Sequence, residues 1–223
     1  MIPRPLAASA VLVSLALLSG CAGRVAARHF VPAGPDDARE TIEALAAAER
    51  RAADLPASRL LYDAKMGGRG GPAVPGTLAV TYDGTSVRRA SLTGPFGSRV
   101  AEYDSGKITG EDRRALVLDP ASLKAVLAGA WPGEPASIDG CDEADCLAVW
   151  NSPFRVTATV DRRQQRLDEL AIAADGGRLT VTYGGAADPW PRRISAREET
   201  SGRSLNLSLV AVEPAAPDAA SRP

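Results

Sequence analysis

The chain has 223 residues, with 26 basic and 27 acidic side chains, 4% aromatics and one histidine. A near-neutral balance offers no basic face for nucleic acid, and the scarcity of aromatics leaves the core to Leu, Val, Ile and Ala. One histidine among dispersed carboxylates does not point to catalysis, and the length between the termini suits one domain.

Arg4 precedes an apolar run from Leu6 through Leu18, followed by Ser19-Gly20. A basic start, about a dozen apolar residues and small residues before a cut site make residues 1–20 a secretory signal. The run is too short to span a bilayer, which needs about 20 apolar residues. Leu18-Ser19-Gly20-Cys21 resembles a bacterial lipobox, where the cysteine is lipidated and becomes the mature N-terminus. Cys21 is then the lipid anchor, carrying acyl chains of the palmitate type; a plain cleaved signal with an unrelated cysteine is the alternative. Each buried methylene contributes about 0.8 kcal/mol, and two or more chains anchor stably. Removing residues 1–20 takes away Arg4 and no acid, so 26 basic and 27 acidic residues become 25 and 27, a net charge of −2.

Residues 21–35 read as the acylated N-terminus and a flexible tether. The residue after the anchor is Ala22 and not Asp. In proteobacterial lipoproteins an Asp there resembles an inner-membrane retention signal, so Ala22 favours the periplasmic face of the outer membrane. Pro35-Asp36-Asp37 with Glu40 predicts a helix start with a capping box. Ile42, Leu45, Ala46, Ala52, Ala53 and Leu55 then give an amphipathic stripe, and Pro56 ends the helix. Its mixed charges lack the basic bias of a membrane-surface helix.

From Arg59 the period changes to two. Leu60, Tyr62, Ala64 and Met66 alternate, a Gly/Pro loop covers Gly67 to Gly76, and Leu78, Val80 and Tyr82 alternate before an Asp83-Gly84 turn. Strands follow at Ser86–Leu92, Arg99–Tyr103 and Ala115–Leu118. Asp119-Pro120 opens a short second helix with a stripe of Leu123, Val126, Leu127 and Ala130. Further strands are predicted at Leu147–Trp150, Phe154–Val160, Leu167–Ala173, Leu179–Tyr183, Pro191–Glu198 and Leu205–Val212, with Asp175-Gly176-Gly177 as one turn. Residues 214–223 are Pro/Ala-rich and predicted to be a disordered tail. The order predicts an α+β domain over residues 36–213. Its sheet is antiparallel and strongly curved, a half-open β-barrel of about 10–11 strands, capped by one long N-terminal helix and a short inserted one.

Export places the fold where disulfides persist. Cys141 and Cys146 flank a short acidic loop that a disulfide would close, stiffening it locally because so small a loop gains little chain entropy. A metal site is the alternative, although two cysteines without a nearby histidine make a poor zinc set.

The element order and the lipidated start resemble the LolA/LolB fold family, and in particular its LolB-like outer-membrane lipoproteins. The most local match is Leu92-Thr93-Gly94-Pro95-Phe96-Gly97-Ser98, where LolB-like proteins carry a Pro-apolar-Gly loop. The resemblance implies that Pro95, Phe96 and Gly97 form a membrane-insertion and transfer loop with Phe96 protruding. Flanking Pro and Gly favour a tight turn, whereas a Phe folded back onto the sheet is the alternative. Asp119-Pro120…Leu127-Ala128-Gly129 and Pro191…Ile194…Leu205…Leu209 also fit the family pattern. Trp131, Trp150 and Trp190 fall later than the family's early-strand tryptophans, and the Cys141–Cys146 loop has no counterpart there.

Alternation assigns Leu78, Val80, Val156, Ala158, Leu170 and Ile172 to the concave face as a hydrophobic cavity for acyl chains; a shift of one residue would invert the assignment. The resemblance implies a monomeric, non-enzymatic acceptor of acylated lipoprotein cargo. Its partner would be a periplasmic LolA-like carrier, with no cofactor, no metal and no nucleic acid. An assembly scaffold with a self-filled interior, or a carrier of another lipid, shares the same pattern. Gly67-Gly68-Arg69-Gly70-Gly71 lacks the Gly-Lys-Ser/Thr ending of a phosphate loop. His29 lies in the tether, outside any triad, and Glu111/Asp112 and Glu198/Glu199 read as solvated turn charges. Asn206-Leu207-Ser208 matches a glycosylation pattern only within a strand.

Overall fold

The computed structural model describes residues 29–69, 71–104, 107–110, 120–151, 155–174, 177–185 and 190–215. The signal, Cys21, the 22–28 segment, Ala115–Leu118, Asp119, Phe154, Asp175-Gly176 and residues 216–223 lie outside them.

Helix α1 spans Pro35–Ala53. The Gly34 N–H donates to the Asp37 carboxylate at 3.2 Å, and Asp36 and Asp37 in the first turn with Arg50 and Arg51 in the last complement the helix dipole. The N-terminal cap is thus made by Asp37 rather than by Glu40. The buried stripe is Thr41, Ala44, Leu45, Ala48 and Ala52, rotated from the expected one: Ile42 is exposed, as is Ala53. Thr41 is tolerated inside because its hydroxyl donates to the Asp37 carbonyl at 2.7 Å.

The first meander contains β1 (Ser58–Gly67), β2 (Val74–Tyr82), β3 (Val87–Thr93), β4 (Arg99–Asp104) and β5 (Lys107–Gly110). Helix α2, Pro120–Ala128, follows. The second meander contains β6 (Ser137–Cys141), β7 (Asp145–Trp150), β8 (Arg155–Asp161), β9 (Arg166–Ala174), β10 (Gly177–Gly184), β11 (Arg193–Glu198) and β12 (Ser204–Pro214). Together they form one 12-stranded antiparallel sheet, ordered β5-β4-β3-β2-β1-β12-β11-β10-β9-β8-β7-β6, unclosed and strongly curved. Strands β5 and β6 were not among the expected ones: four and five residues long, they carry too little alternation to stand out.

Inward residues run in rows across the sheet, for example Leu60↔Val80↔Ala90↔Tyr103. The stripes of both helices join these rows in one core. Helix α2 ends in a two-bond cap, Ala130 N–H to Ala125 O at 3.0 Å and Gly129 N–H to Val126 O at 3.4 Å, with Gly129 at φ 65°. The Tyr183 hydroxyl donates to Val126 O at 2.9 Å and ties α2 to β10; its burial raises the phenol's pKa. Cys141 and Cys146 are disulfide-bonded, with an S–S distance of 1.96 Å. They form a directly opposed β6–β7 pair rather than the ends of an open loop.

The β2–β3 connection is held by Asp83, whose Oδ1 accepts the N–H groups of Thr85 at 2.8 Å and Ser86 at 2.7 Å. The Arg88 guanidinium also contacts this carboxylate. The Ser86 and Thr85 backbone bonds, with Arg88, lower the Asp83 pKa to about 2. A depressed folded-state value means the turn's contribution is fully present above about pH 4 and is lost as pH falls toward 2. Urea denaturation of Asp83→Asn should therefore show a smaller stability loss between pH 5 and pH 2 than the wild type; parallel curves would show that this carboxylate does not contribute.

Candidate functional site

The strand ends divide the sheet into two rims. Gly67, Val74, Thr93, Arg99, Glu198 and Ser204 close one rim, and Ser58, Tyr82, Val87, Arg193 and Pro214 close the other. The Pro95–Gly97 turn stands on the first rim between β3 and β4. It is tied below the tip: Gly94 N–H donates to Ser98 O at 2.7 Å, Ser98 N–H to Pro95 O at 3.3 Å, and Ser98 Oγ to Pro95 O at 3.1 Å.

Phe96 adopts φ 60°, ψ 22°, and Gly97 follows at φ 74°. These are the two left-handed positions of a tight hairpin turn, which normally take Asn and Gly. A bulky aromatic there costs about 1–2 kcal/mol of backbone strain. The Phe96 side chain is fully exposed, at 108% of its reference area. Arg99, just past the turn, is 2.6 Å from the buried carboxylate of Glu102, which also accepts Arg89 Nε at 2.9 Å. This Arg–Glu–Arg arrangement fixes the start of β4, and Glu102 raises the Arg89 pKa.

Five inward residues toward the same rim are only half-buried: Met66, Leu78, Leu92, Ala196 and Leu205. Leu78 pairs with Leu92, Met66 with Leu205, and Ala196 with Leu205. They form an apolar shelf beside the Phe96 turn. Of the six residues assigned to a cavity, only Leu78 lies on this shelf. Val80, Val156, Ala158, Leu170 and Ile172 face the same concave side, but each is at most 1% exposed. They pack in the pairs Val156↔Ile172 and Ala158↔Leu170 within the core shared with α1 and α2. In this structure they line no open space, because the helix stripes occupy the concavity. Sequence reading overlooked Met66, Leu92 and Leu205 as site residues; alternation marks them as inward, but only the position of the helices decides which inward residues stay uncovered.

Among the described residues, Asp145, Asp161 and Asp168 bring ligand-type oxygens within 4.8 Å of one another. The protein answers these charges itself, with Arg166 3.3 Å from Asp168 and the Gln164 N–H donating to Asp161 at 2.9 Å. No helix among the described residues is long and apolar enough to cross a membrane.

No family model matches the chain, and no curated protein matches it. Among solved structures, a LolA superfamily protein from Nitrosomonas europaea aligns with a TM-score of 0.50 at 10% identity, covering 78% of this chain and 95% of that one. A putative outer membrane lipoprotein-sorting protein domain from Vibrio parahaemolyticus gives 0.47 at 9% identity, covering 79% and 92%. A DUF1329 family protein from Desulfovibrio piger gives 0.46 at 7% identity, covering 79% and 92%. The last two likenesses are too loose to support any conclusion, and at 10% identity the first speaks of the fold alone. The chain therefore shares the fold of the Nitrosomonas protein and has a LolA-like fold.

Proposed function

We propose that the chain is a non-catalytic, membrane-anchored lipoprotein of the outer membrane that receives acylated lipoprotein from a periplasmic LolA-like carrier and helps to insert it. The observation that carries this reading is Phe96, fully exposed and held in a strained backbone on the rim that borders the half-buried shelf. Strain kept in an exposed aromatic serves no packing purpose, and such outliers cluster at functional sites. Burying the ring in lipid would contribute about 1–2 kcal/mol, while the adjoining leucines offer an acyl chain its first apolar surface. The closed core behind the shelf favours a second reading, a scaffold lipoprotein whose interior is filled by its own side chains.

The deciding experiment mixes protein starting at residue 22 with a LolA-like carrier loaded with an acylated lipoprotein. Movement of cargo supports the acceptor; no movement from a carrier shown to be active leaves the scaffold reading. Phe96→Glu should block insertion into vesicles more than cargo binding. Phe96→Gly should also lose insertion, yet raise stability in urea by roughly 0.5 kcal/mol, the relieved strain less glycine's unfolded-state entropy. Unchanged insertion in both variants would remove Phe96 from the mechanism. Cys21→Ala should release the protein to the soluble periplasmic fraction, and persistent membrane fractionation would refute the anchor.

The tether sets a further condition. Val31 joins the sheet by bonding Cys141, N–H to O at 2.9 Å and 2.8 Å in the two directions, on the rim opposite Phe96. Val31 lies ten residue steps after Cys21, an extended reach of about 33–36 Å, close to the roughly 33 Å length of β1. Deleting residues 23–28 should therefore impair insertion by the anchored protein while leaving cargo binding intact; unimpaired insertion would show that Phe96 and the anchor need not meet one bilayer.

A further inference from the structure

On the rim opposite Phe96, a pocket of about 430 Å³ lies between the last turn of α1, the Asp83 turn and α2. That volume falls within the range of small-molecule sites, about 300–1,000 Å³. Its walls include Ala53, Ala125, Ala130 and Pro132, and its two charged lining residues are Lys124 and Glu49. Lys124 is pre-placed: its Nζ is 5.4 Å from the centre of the Tyr82 ring, a cation–π distance. That ring is itself fixed, edge-on to Trp190 at 5.4 Å, with its hydroxyl donating to Gly84 O at 2.7 Å. The structure thus holds a cation and a carboxylate around a largely apolar hollow.

We propose that this pocket binds a zwitterionic phospholipid, with one acyl chain against the alanine and proline walls, the head-group phosphate on Lys124 and the ammonium on Glu49. An uncharged amphiphile would use only the walls. A purely anionic head would meet Lys124 but bring like charge toward the exposed Glu49 carboxylate, a mismatch that a dipolar head avoids. The dipolar head matches both groups. This site shares no residue with the Phe96 shelf and stands even if lipoprotein transfer does not occur.

The test is calorimetric titration of the mature chain with three single-chain probes below their micelle concentrations: lysophosphatidylethanolamine, lysophosphatidylglycerol and monoacylglycerol. The expected order places lysophosphatidylethanolamine first. Lys124→Met should weaken it about tenfold, the worth of a charge-assisted contact, and Lys124→Arg should restore most of the loss. Glu49→Gln should collapse the preference over lysophosphatidylglycerol by weakening one and strengthening the other. Phe96→Glu should change none of these affinities, which separates this site from the acceptor reading. Equal binding of all three probes, preference for lysophosphatidylglycerol, no binding, or variants that bind like wild type would each overturn the proposal.

Discussion

The fold depends on one seam, the pairing of β1 with β12. Without it the chain would contain two separate meanders, β1–β5 and β6–β12, each with an uncovered apolar face and a free edge. The pairing runs from Ser58↔Pro214 to Gly67↔Ser204, with one irregularity at Leu61/Tyr62. It joins residues about 150 positions apart, and the entropy of such a closure grows only logarithmically with length. What offsets that entropy is the row of inward side chains the seam completes: Tyr62 against Leu209, Ala64 against Leu207 and Met66 against Leu205. Once the seam is formed, both meanders curve around the same two helices, and the rims fall into line. The Phe96 turn and the shelf then belong to one surface although β3 and β12 are far apart in sequence.

Much of this was legible in the residues because one face of the sheet is buried and period-two alternation follows from that burial. Leu60-x-Tyr62-x-Ala64 and Val156-x-Ala158-x-Val160 point inward as alternation requires. The Asp83-Gly84 turn carries its own chemistry and was readable without tertiary context. The α1 stripe was less legible. In an alanine-rich helix, hydrophobicity does not distinguish Ala44 from Ala46 or Ala53, so the orientation is chosen by what the sheet accepts. Thr41 goes inside and Ile42 outside for that reason. The short strands β5 and β6 owe their existence to their neighbours, and no local pattern announces them.

The site was legible in a different way. Pro-Phe-Gly signals a turn, and the side chain's exposure follows from the left-handed geometry that Ser98 and Gly94 enforce around it. The depth of the concave face was not legible, because alternation tells which side a residue faces and says nothing about what stands opposite. Leu78 and Val80 are two residues apart on one strand and one face, yet the first is half-buried and the second solvent-inaccessible. The difference is made by the helices, which approach the rim near Tyr82 and leave the rim near Phe96 uncovered.

That asymmetry decides where the concave face is closed. A filled interior at native density leaves no room for a further chain, and its cover includes α2, nine residues long and tied to β10 by the Tyr183 hydroxyl. Besides that bond, α2 is held by the buried side chains of Val126 and Leu127 in the common core and by Lys124 over the Tyr82 ring. The shelf of Leu78, Leu92 and Leu205 is continuous with the core that α2 covers. The helix stripes fill the concavity, so apolar area that an empty half-barrel would expose is buried inside the chain itself.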